Sequence, residues 1–372
     1  MNSPRPSDAG LAEIDWHSFL QRPPLLSPPS LESFRDESVL ITGAGGSIGS
    51  ALSLRLASIA PRSLVLLDAS EQALYRLQQR LVPVLTGNLV TILGSVNDSA
   101  LLNEICTRHE PTLVFHAAAH KHAPLLEQQP LAAITTNTLA TYTLTECLKQ
   151  HGVPRMVLLS TDKAVDPANI LGATKRVAER ITLAYDGIAV RLANVLGSEG
   201  SVAEFFYQRV QHGLPLPITD ARATRLFLTS AETVDLLLTA AKSANTPSLL
   251  IPSLQNAHSI KSLAEFLTAT LSSPHPVEQI PCGLRPGDKL HEALVSADEF
   301  TVPTGLSALL EVHPLSPESH SLPHQLSQLA KAVQDRNLPR AMGYLFDLVP
   351  TYTPSAQIHR LLDLSRTGVP TE

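Results

Sequence analysis

Two places in the chain gather residue types that do chemistry. The first is Val39-Leu-Ile-Thr-Gly43-Ala-Gly-Gly46-Ser-Ile-Gly49, which links an apolar run to a helical one. Glycines in that setting form a cradle for phosphate. Gly43 permits the tight turn, Gly46 lets the backbone approach a pyrophosphate, and Gly49 lets helix and strand pack closely. The helix that starts there turns the positive end of its dipole toward the anion. Asp68 ends the next apolar run, about 20 residues after Gly49, where a carboxylate holds adenosine ribose hydroxyls and repels a 2′-phosphate. The expected cofactor is therefore NAD rather than NADP. Asp68 also stands where it would cap the helix that follows, since Ala69-Ser70-Glu71 comes next.

The second place is Asp162-Lys163, one residue beyond the apolar run Met156–Ser160. Open α/β sheets bind ligands at the carboxyl ends of their strands, so an acid and an amine there can serve general acid–base work. A lysine acts as base only when burial or neighbouring cations lower its pKa, and Lys121 and Lys175 are the candidate neighbours. The bland alternative for such a pair is a surface ion pair. His116 and His120 have i, i+4 spacing, but they follow a strand and no Glu base lies between them, so no metal is expected.

The elements that must position these residues come from the hydrophobic pattern. Short apolar runs at Ser38–Thr42, Leu64–Asp68, Val90–Leu93, Thr112–His116, Met156–Ser160 and Ile188–Leu192 read as strands buried on both faces. Helical-period segments lie between them at Ser50–Ile59, Glu71–Leu81, Ala100–His109 and Thr136–His151. Strand–helix alternation predicts a doubly wound parallel sheet of the Rossmann type with a smaller substrate-binding lobe. The expected division is an N-terminal arm over 1–36, a NAD-binding domain over 37–195 and a mainly substrate-binding lobe over 196–314 that returns in part to the first domain. A C-terminal linker with helices near Gln325–Val333 and Leu338–Leu348 fills 315–372. The arm is Pro-rich, with at most a short helix around Ile14–Leu20, and Trp16 and Phe19 are the residues that would pin it.

Composition narrows the function. The 372 residues are 44% hydrophobic and 17% charged, with a net charge of −6, which is globular and not the footprint of a nucleic-acid binder. Cys106, Cys147 and Cys282 show no CxxC and read as reduced thiols, Cys282 as a small packed side chain. No apolar run is long enough to span a bilayer and no signal peptide is evident, so a soluble, cytoplasmic chain is expected.

Beyond the glycine cradle, ordered blocks carry a resemblance. They are His116-Ala-Ala-Ala-His-Lys121-His122-Ala-Pro124-Leu125, Ser160-Thr-Asp-Lys163-Ala-Val, Leu171-Gly-Ala-Thr-Lys175-Arg176, Arg191-Leu-Ala-Asn194-Val-Leu-Gly197-Ser-Glu-Gly200-Ser201, Thr224-Arg225-Leu-Phe227 and Gly283-Leu-Arg285-Pro-Gly287-Asp-Lys289. With Thr42–Gly49 they resemble the extended short-chain dehydrogenase/reductases, in particular the CapD-like UDP-N-acetylglucosamine 4,6-dehydratases of polysaccharide biosynthesis. The match runs over about residues 15–294, and Leu348-Val-Pro-Thr-Tyr-Thr-Pro resembles the family's C-terminus. The membrane domain of the family's long members is not expected in this chain.

The resemblance implies a reaction and a set of residues. A UDP-N-acetylhexosamine would be oxidised at C4, lose water across C5–C6 and be reduced at C6, with NAD regenerated in each cycle. Asp162 would be the acid, Lys163 the C5 base, and Thr161 with Asp162 would handle the C4 proton. Lys175 would hold the nicotinamide ribose. Gly43, Gly46, Ser47, Ile48, Gly49, Asp68, Ala117 and Lys175 form the expected cofactor set. Lys121, Asn194, Ser201, Arg225 and Arg285 form the expected UDP-sugar set. A homo-oligomer and C5 retention are implied as well. Three positions depart from the pattern. Leu171 replaces the usual Tyr four residues before Lys175, Glu199 replaces a basic residue, and Ser95 replaces an adenine-contacting Asp. Two alternatives follow: a UDP-sugar 4-epimerase, against which Asp162-Lys163 argues because epimerisation needs no C5 base, and a decayed nucleotide-sugar-binding protein.

Overall fold

The computed structural model describes residues 10, 11, 13–84, 87–243, 245–271, 277–306, 308–315 and 322–367. Its centre is a nine-stranded sheet. The strands in chain order are β1 (Ser38–Thr42), β2 (Ser63–Asp68), β3 (Leu89–Leu93), β4 (Leu113–His116), β5 (Met156–Thr161), β6 (Ile188–Leu192), β7 (Ser248–Pro252), β8 (Glu299–Pro303) and β9 (Leu309–Pro314). Across the sheet they lie in the order β8-β9-β7-β6-β5-β4-β1-β2-β3. β1 to β7 pair in parallel, and only β9 runs against its neighbours β7 and β8. The order reverses at β1 and β4, which puts the ends of both strands beside the crevice where such sheets take ligands.

The first six strands fall within one residue of the sequence reading, because runs such as Val39-Leu-Ile and Leu64-Val-Leu-Leu are apolar on both faces and are fully buried. The helix after β1 begins earlier than its apolar period suggests. It spans Ser47–Ala57, with Gly46 as its N-cap. The expected helix over 136–151 is interrupted: Ile134–Leu139 is a π-turn, and Ala140–Gln150 continues as α-helix. A π-turn inserts one residue into the helical ladder and is frequent at functional sites. Here it swings Asn137 inward to grip the backbone of His120 from both sides, at 2.8 Å to its N–H and 3.1 Å to its carbonyl.

Outside the sheet, the Val202–Gln211 and Ile260–Thr270 helices enclose a second apolar core around Phe206, Phe227 and Leu263. The N-terminal arm joins this core through a helix at Trp16–Leu20, capped by Asp15. Phe19 meets Phe227 edge-on at 5.8 Å and Phe266 at 5.3 Å. The arm then crosses to the Ser230–Ser243 helix beside the main sheet, where Arg22 pairs with buried Glu232, whose carboxylate also accepts the N–H of Leu25. The C-terminal helices Leu322–Gln334 and Leu338–Leu348 pack on a further apolar cluster that includes Leu171. Among the described residues no helix is long and apolar enough to cross a membrane. Cys106 and Cys147 lie 3.8 Å apart as free buried thiols, while Cys282 is exposed rather than packed.

Beneath the ends of β5 and β6 sits a buried ion network. Arg191, with no exposed surface, bonds both oxygens of Glu179 at 3.0 Å and both of Glu299 at 2.7 and 2.8 Å. Arg176 reaches the same two carboxylates, and Ser160 donates to Glu179 at 2.5 Å. The Arg191 guanidinium gains enough from these anions to hold its charge against burial, and Glu299 falls to about 2 because its bonds to Arg191 outweigh desolvation. Removing one partner from such a group strands buried charge. Arg191→Met should therefore cost about 3–5 kcal/mol, read as a lower urea midpoint at unchanged slope; a change below about 1 kcal/mol would show the network to be dispensable.

Candidate active site

Gly43, Gly46, Ser47, Ile48 and Gly49 all lie where β1 passes into the Ser47–Ala57 helix. A Cβ on Gly49 would stand 2.2 Å from the Gly43 carbonyl, so the turn closes only over glycine. Gly46 caps the helix without a side-chain bond. The first amides of the helix are therefore left without a side-chain cap, as an anion site requires. Asp68 does not cap the next helix; Ser70 does, accepting from Ala73. Asp68 instead binds the cradle, with Gly45 N–H at 2.8 Å on one oxygen and Ser70 N–H at 2.8 Å on the other. Ala117 closes the opposite side, its N–H on Thr42 O at 3.0 Å. Ser47 spends its hydroxyl accepting the Glu199 N–H at 3.0 Å, which ties the cradle to the loop before the Val202–Gln211 helix.

At the neighbouring strand end, Thr161 closes β5, and Asp162 and Lys163 begin a single 3₁₀ turn. That turn is held by the helix Ile170–Ala184. Asn169 caps the helix through Gly172 N–H at 2.9 Å and also donates to Gly287 O at 2.9 Å. Asp162 is fully buried. Its Oδ1 accepts from Thr161 Oγ1 at 2.9 Å and from Lys163 Nζ at 3.0 Å, while Oδ2 has no protein partner. Lys163 also donates to Asn194 at 3.2 Å.

The expected cationic neighbours of Lys163 are not its partners. Two carboxylates face it: Asp162 and, 3.7 Å away, Glu292. Burial opposes the Lys163 ammonium, but these two anions outweigh it and push its pKa up. Lys175 differs. Burial lowers it to about 8, against the pull of Glu179, and it lies within electrostatic reach of His116. His116 itself is held neutral, at about 3, by burial and by Lys175. Its ring nitrogens are engaged by Thr42 at 2.7 Å and Thr141 at 3.0 Å.

Several expected sugar-site residues have other partners. The Arg225 guanidinium binds the carbonyls of Thr224, Leu290 and Lys289 at 2.7, 3.1 and 2.9 Å, so it clamps the 289–292 segment. Ser201 caps the Val202–Gln211 helix through Glu204 N–H, and the Glu204 carboxylate accepts the N–H of Gly200, one residue before the cap. Lys121 stands within electrostatic reach of Glu199 and Glu204, so the unusual Glu199 faces a cation. Arg285 is exposed and paired with Asp288 at 2.9 Å. Leu171 is buried in the cluster of Leu126, Ile134 and Leu345. Sequence reasoning missed Glu292; the one available signal was an acid three residues beyond Lys289.

With this geometry in view, a family model described as "Polysaccharide biosynthesis protein" matches residues 39–314. The chain belongs to that family. It is 34% identical over 302 residues to a capsular polysaccharide biosynthesis protein, CapD, of Staphylococcus aureus, covering 78% of this chain and 50% of the relative. The chain thus spans about half the length of that relative. It is 31% identical over 278 residues to an inverting UDP-N-acetylglucosamine 4,6-dehydratase of Campylobacter jejuni, covering 72% of this chain and 79% of the relative. Its fold matches the UDP-glucose 4-epimerase of Thermus thermophilus, solved with NAD, at a TM-score of 0.61 and 20% identity, covering 69% of this chain and 89% of that one. An extended short-chain dehydrogenase/reductase fold is shown by these likenesses.

The packing of the Asp162–Lys163 turn is testable at Gly172. A Cβ there would stand 2.0 Å from Lys163 O, a backbone atom that cannot swing away. Gly172→Ala should destabilise by about 1–3 kcal/mol, the range for overpacking, even though Ala is the better helix former. An unchanged or higher melting temperature would show that the turn is not held by this contact.

Proposed function

We propose that the protein is a NAD-dependent nucleotide-sugar 4,6-dehydratase acting on a UDP-N-acetylhexosamine, with UDP-N-acetylglucosamine the first substrate to try. One observation carries the reading: a buried acid, Asp162, with one oxygen held by Thr161 and Lys163 and the other without a protein partner. Leaving a buried carboxylate oxygen unsatisfied costs roughly 1–3 kcal/mol or more. A sugar hydroxyl is a natural partner, and the sequence relation to a 4,6-dehydratase points the same way.

The residues fit a dinucleotide. The uncapped amides after Gly46 would take its pyrophosphate, Asp68 its adenosine ribose, and Lys175, beside His116 at the end of β4, its nicotinamide ribose. The chemistry such a group supplies when bound is reversible hydride exchange with the sugar carbons. Asp68 would repel a 2′-phosphate, which favours NAD over NADP.

The chain's own residues then move protons. Thr161 and Asp162 share a hydrogen bond and together receive the C4 hydroxyl proton. In the elimination Asp162 gives a proton to the departing C6 hydroxyl, which leaves as water, while Lys163 takes the C5 proton. Thr161 and Asn194 orient the pair from either side. An epimerase has no use for a base at C5, so this pairing favours dehydration.

Incubation with UDP-N-acetylglucosamine and NAD should give a product lighter by one water in the mass spectrum. Lys163→Ala and Asp162→Asn should each slow that loss by about 10²–10⁴-fold, the usual worth of general acid–base catalysis, with NAD still bound. Variants that match the wild type would remove Asp162 and Lys163 from the mechanism. A wild type that binds NAD but dehydrates no UDP-N-acetylhexosamine would remove the dehydratase reading.

A further inference from the structure

Lys163 presents a contradiction. As the C5 base it must be a free amine, yet the structure surrounds it with carboxylates. Asp162 is bonded to it, and Glu292 stands 3.7 Å away with its side chain 2% exposed. Glu292 is no bystander of the fold. Its Oε2 makes no hydrogen bond although it is buried, and Lys289 Nζ lies 3.7 Å from it on the other side. Lys289 is itself fixed, donating to Val165 O at 2.6 Å. The backbone on which both Lys289 and Glu292 ride is clamped by Arg225 through the carbonyls of Lys289 and Leu290. A whole segment is thus locked in place so that one buried carboxylate faces the catalytic amine.

We propose that Glu292 is a positioning residue that sets the charge of Lys163, holding it as an ammonium at rest and receiving its proton when the amine must act as a base. This deepens the dehydratase reading and concerns the same site. The step is a single proton transfer, from Lys163 Nζ to Glu292 Oε1, the oxygen that faces it, with nothing oxidised or reduced. It turns a buried ion pair into a neutral amine and a neutral acid, which a desolvated site favours. Burial already pushes the Glu292 carboxyl up, against the opposing pull of Lys163, Arg225 and Lys289 and with the help of Asp162. The charged groups that face the pair are therefore Asp162 from the strand end, Arg225 from the 224–225 strand, and Lys289 from the clamped segment. A substrate that enters and excludes the remaining water strengthens the same preference.

The test reads the charge of Lys163 directly. The intact protein is trace-labelled with acetic anhydride between pH 7 and 11, and the acetylation of Lys163 is followed by peptide mass spectrometry. Only the free amine reacts. In Glu292→Gln, Lys163 should label at least about tenfold faster than in wild type at pH 8, since one pKa unit is tenfold in free amine. In Lys289→Met one of the cations that compete with Lys163 for the Glu292 carboxylate is gone, and labelling should slow. Equal labelling in wild type and Glu292→Gln overturns the proposal. Should Glu292→Gln not fold, the Lys289→Met comparison decides: slower labelling supports the proposal and unchanged labelling overturns it. Turnover of the wild type separates the two readings. Loss of water without any Lys163 response sinks the Glu292 assignment alone. A Lys163 response in a protein that dehydrates no UDP-N-acetylhexosamine sinks the dehydratase reading and leaves the charge coupling standing.

Discussion

The buried Arg191 guanidinium is the joint on which the site's geometry depends. It lies on β6 and binds Glu179 on the Ile170–Ala184 helix, Glu299 at the start of β8, and the Leu294 carbonyl. Ser160, one residue before Thr161, bonds the same Glu179. Four elements on the Asp162–Lys163 side of the site therefore meet this network: β5 with Thr161, the helix with Lys175, β6 leading to Asn194, and the segment with Glu292. Two carboxylates shared between two arginines satisfy most of their lone pairs, which is the condition under which buried charge is tolerable. The arrangement is also directional. A guanidinium fork bonded at both edges cannot rotate, so helix and strands keep one register relative to one another.

Rigidity there allows less ordinary groups above it. Asp162 keeps an oxygen unpaired, and Glu292 does the same across the site. Both would be costly defects in a loosely packed region, where the backbone would relax to satisfy them. The Gly172–Lys163 approach, the Asn169 cap and the Arg225 clamp each deny that relaxation. The N-terminal arm extends the logic to the periphery. Phe19 sits in the smaller core and Arg22 on the Glu232 helix, so one short segment fastens both packing units.

Much of the frame was legible in the sequence, for a physical reason. A strand buried on both faces has no choice but a continuous apolar run, and a pyrophosphate cradle has no choice but glycine at its contact points. The strand positions and the Gly43–Gly49 turn follow from such local constraints. Polar side chains on loops carry no such constraint. Arg225 and Ser201 read as diphosphate ligands because their types suit anions, but the fold engages one with backbone carbonyls and the other with a helix cap. The Asp68 cap was misplaced by two residues because Ser70 competes for the same amides and wins by position. Glu292 was invisible because its meaning lies in a lysine far up the chain, and only tertiary structure brings the two together. The same gap explains why the neighbours of Lys163 were expected to be cations.

Leu171 shows how the chemistry and the core share one helix. A phenol four residues before a lysine lies beside it on the helical face, and the lysine lowers its pKa. Here that position belongs to an apolar cluster with Leu126, Ile134 and Leu345, so no proton donor faces Lys175 from it. Lys175 is accordingly desolvated without an anionic phenolate to offset the loss, and Glu179 alone pulls the other way. An amine near 8 can hold a ribose by hydrogen bonding in either protonation state, so the cofactor role assigned to it does not need the phenol. Proton transfer does, unless another group takes it over. The strand end of β5 has such groups: a hydroxyl already bonded to a buried acid, and an amine whose charge a second carboxylate controls. On this reading the helix keeps the lysine and gives its other position to packing, while acid–base work is gathered at Thr161, Asp162 and Lys163.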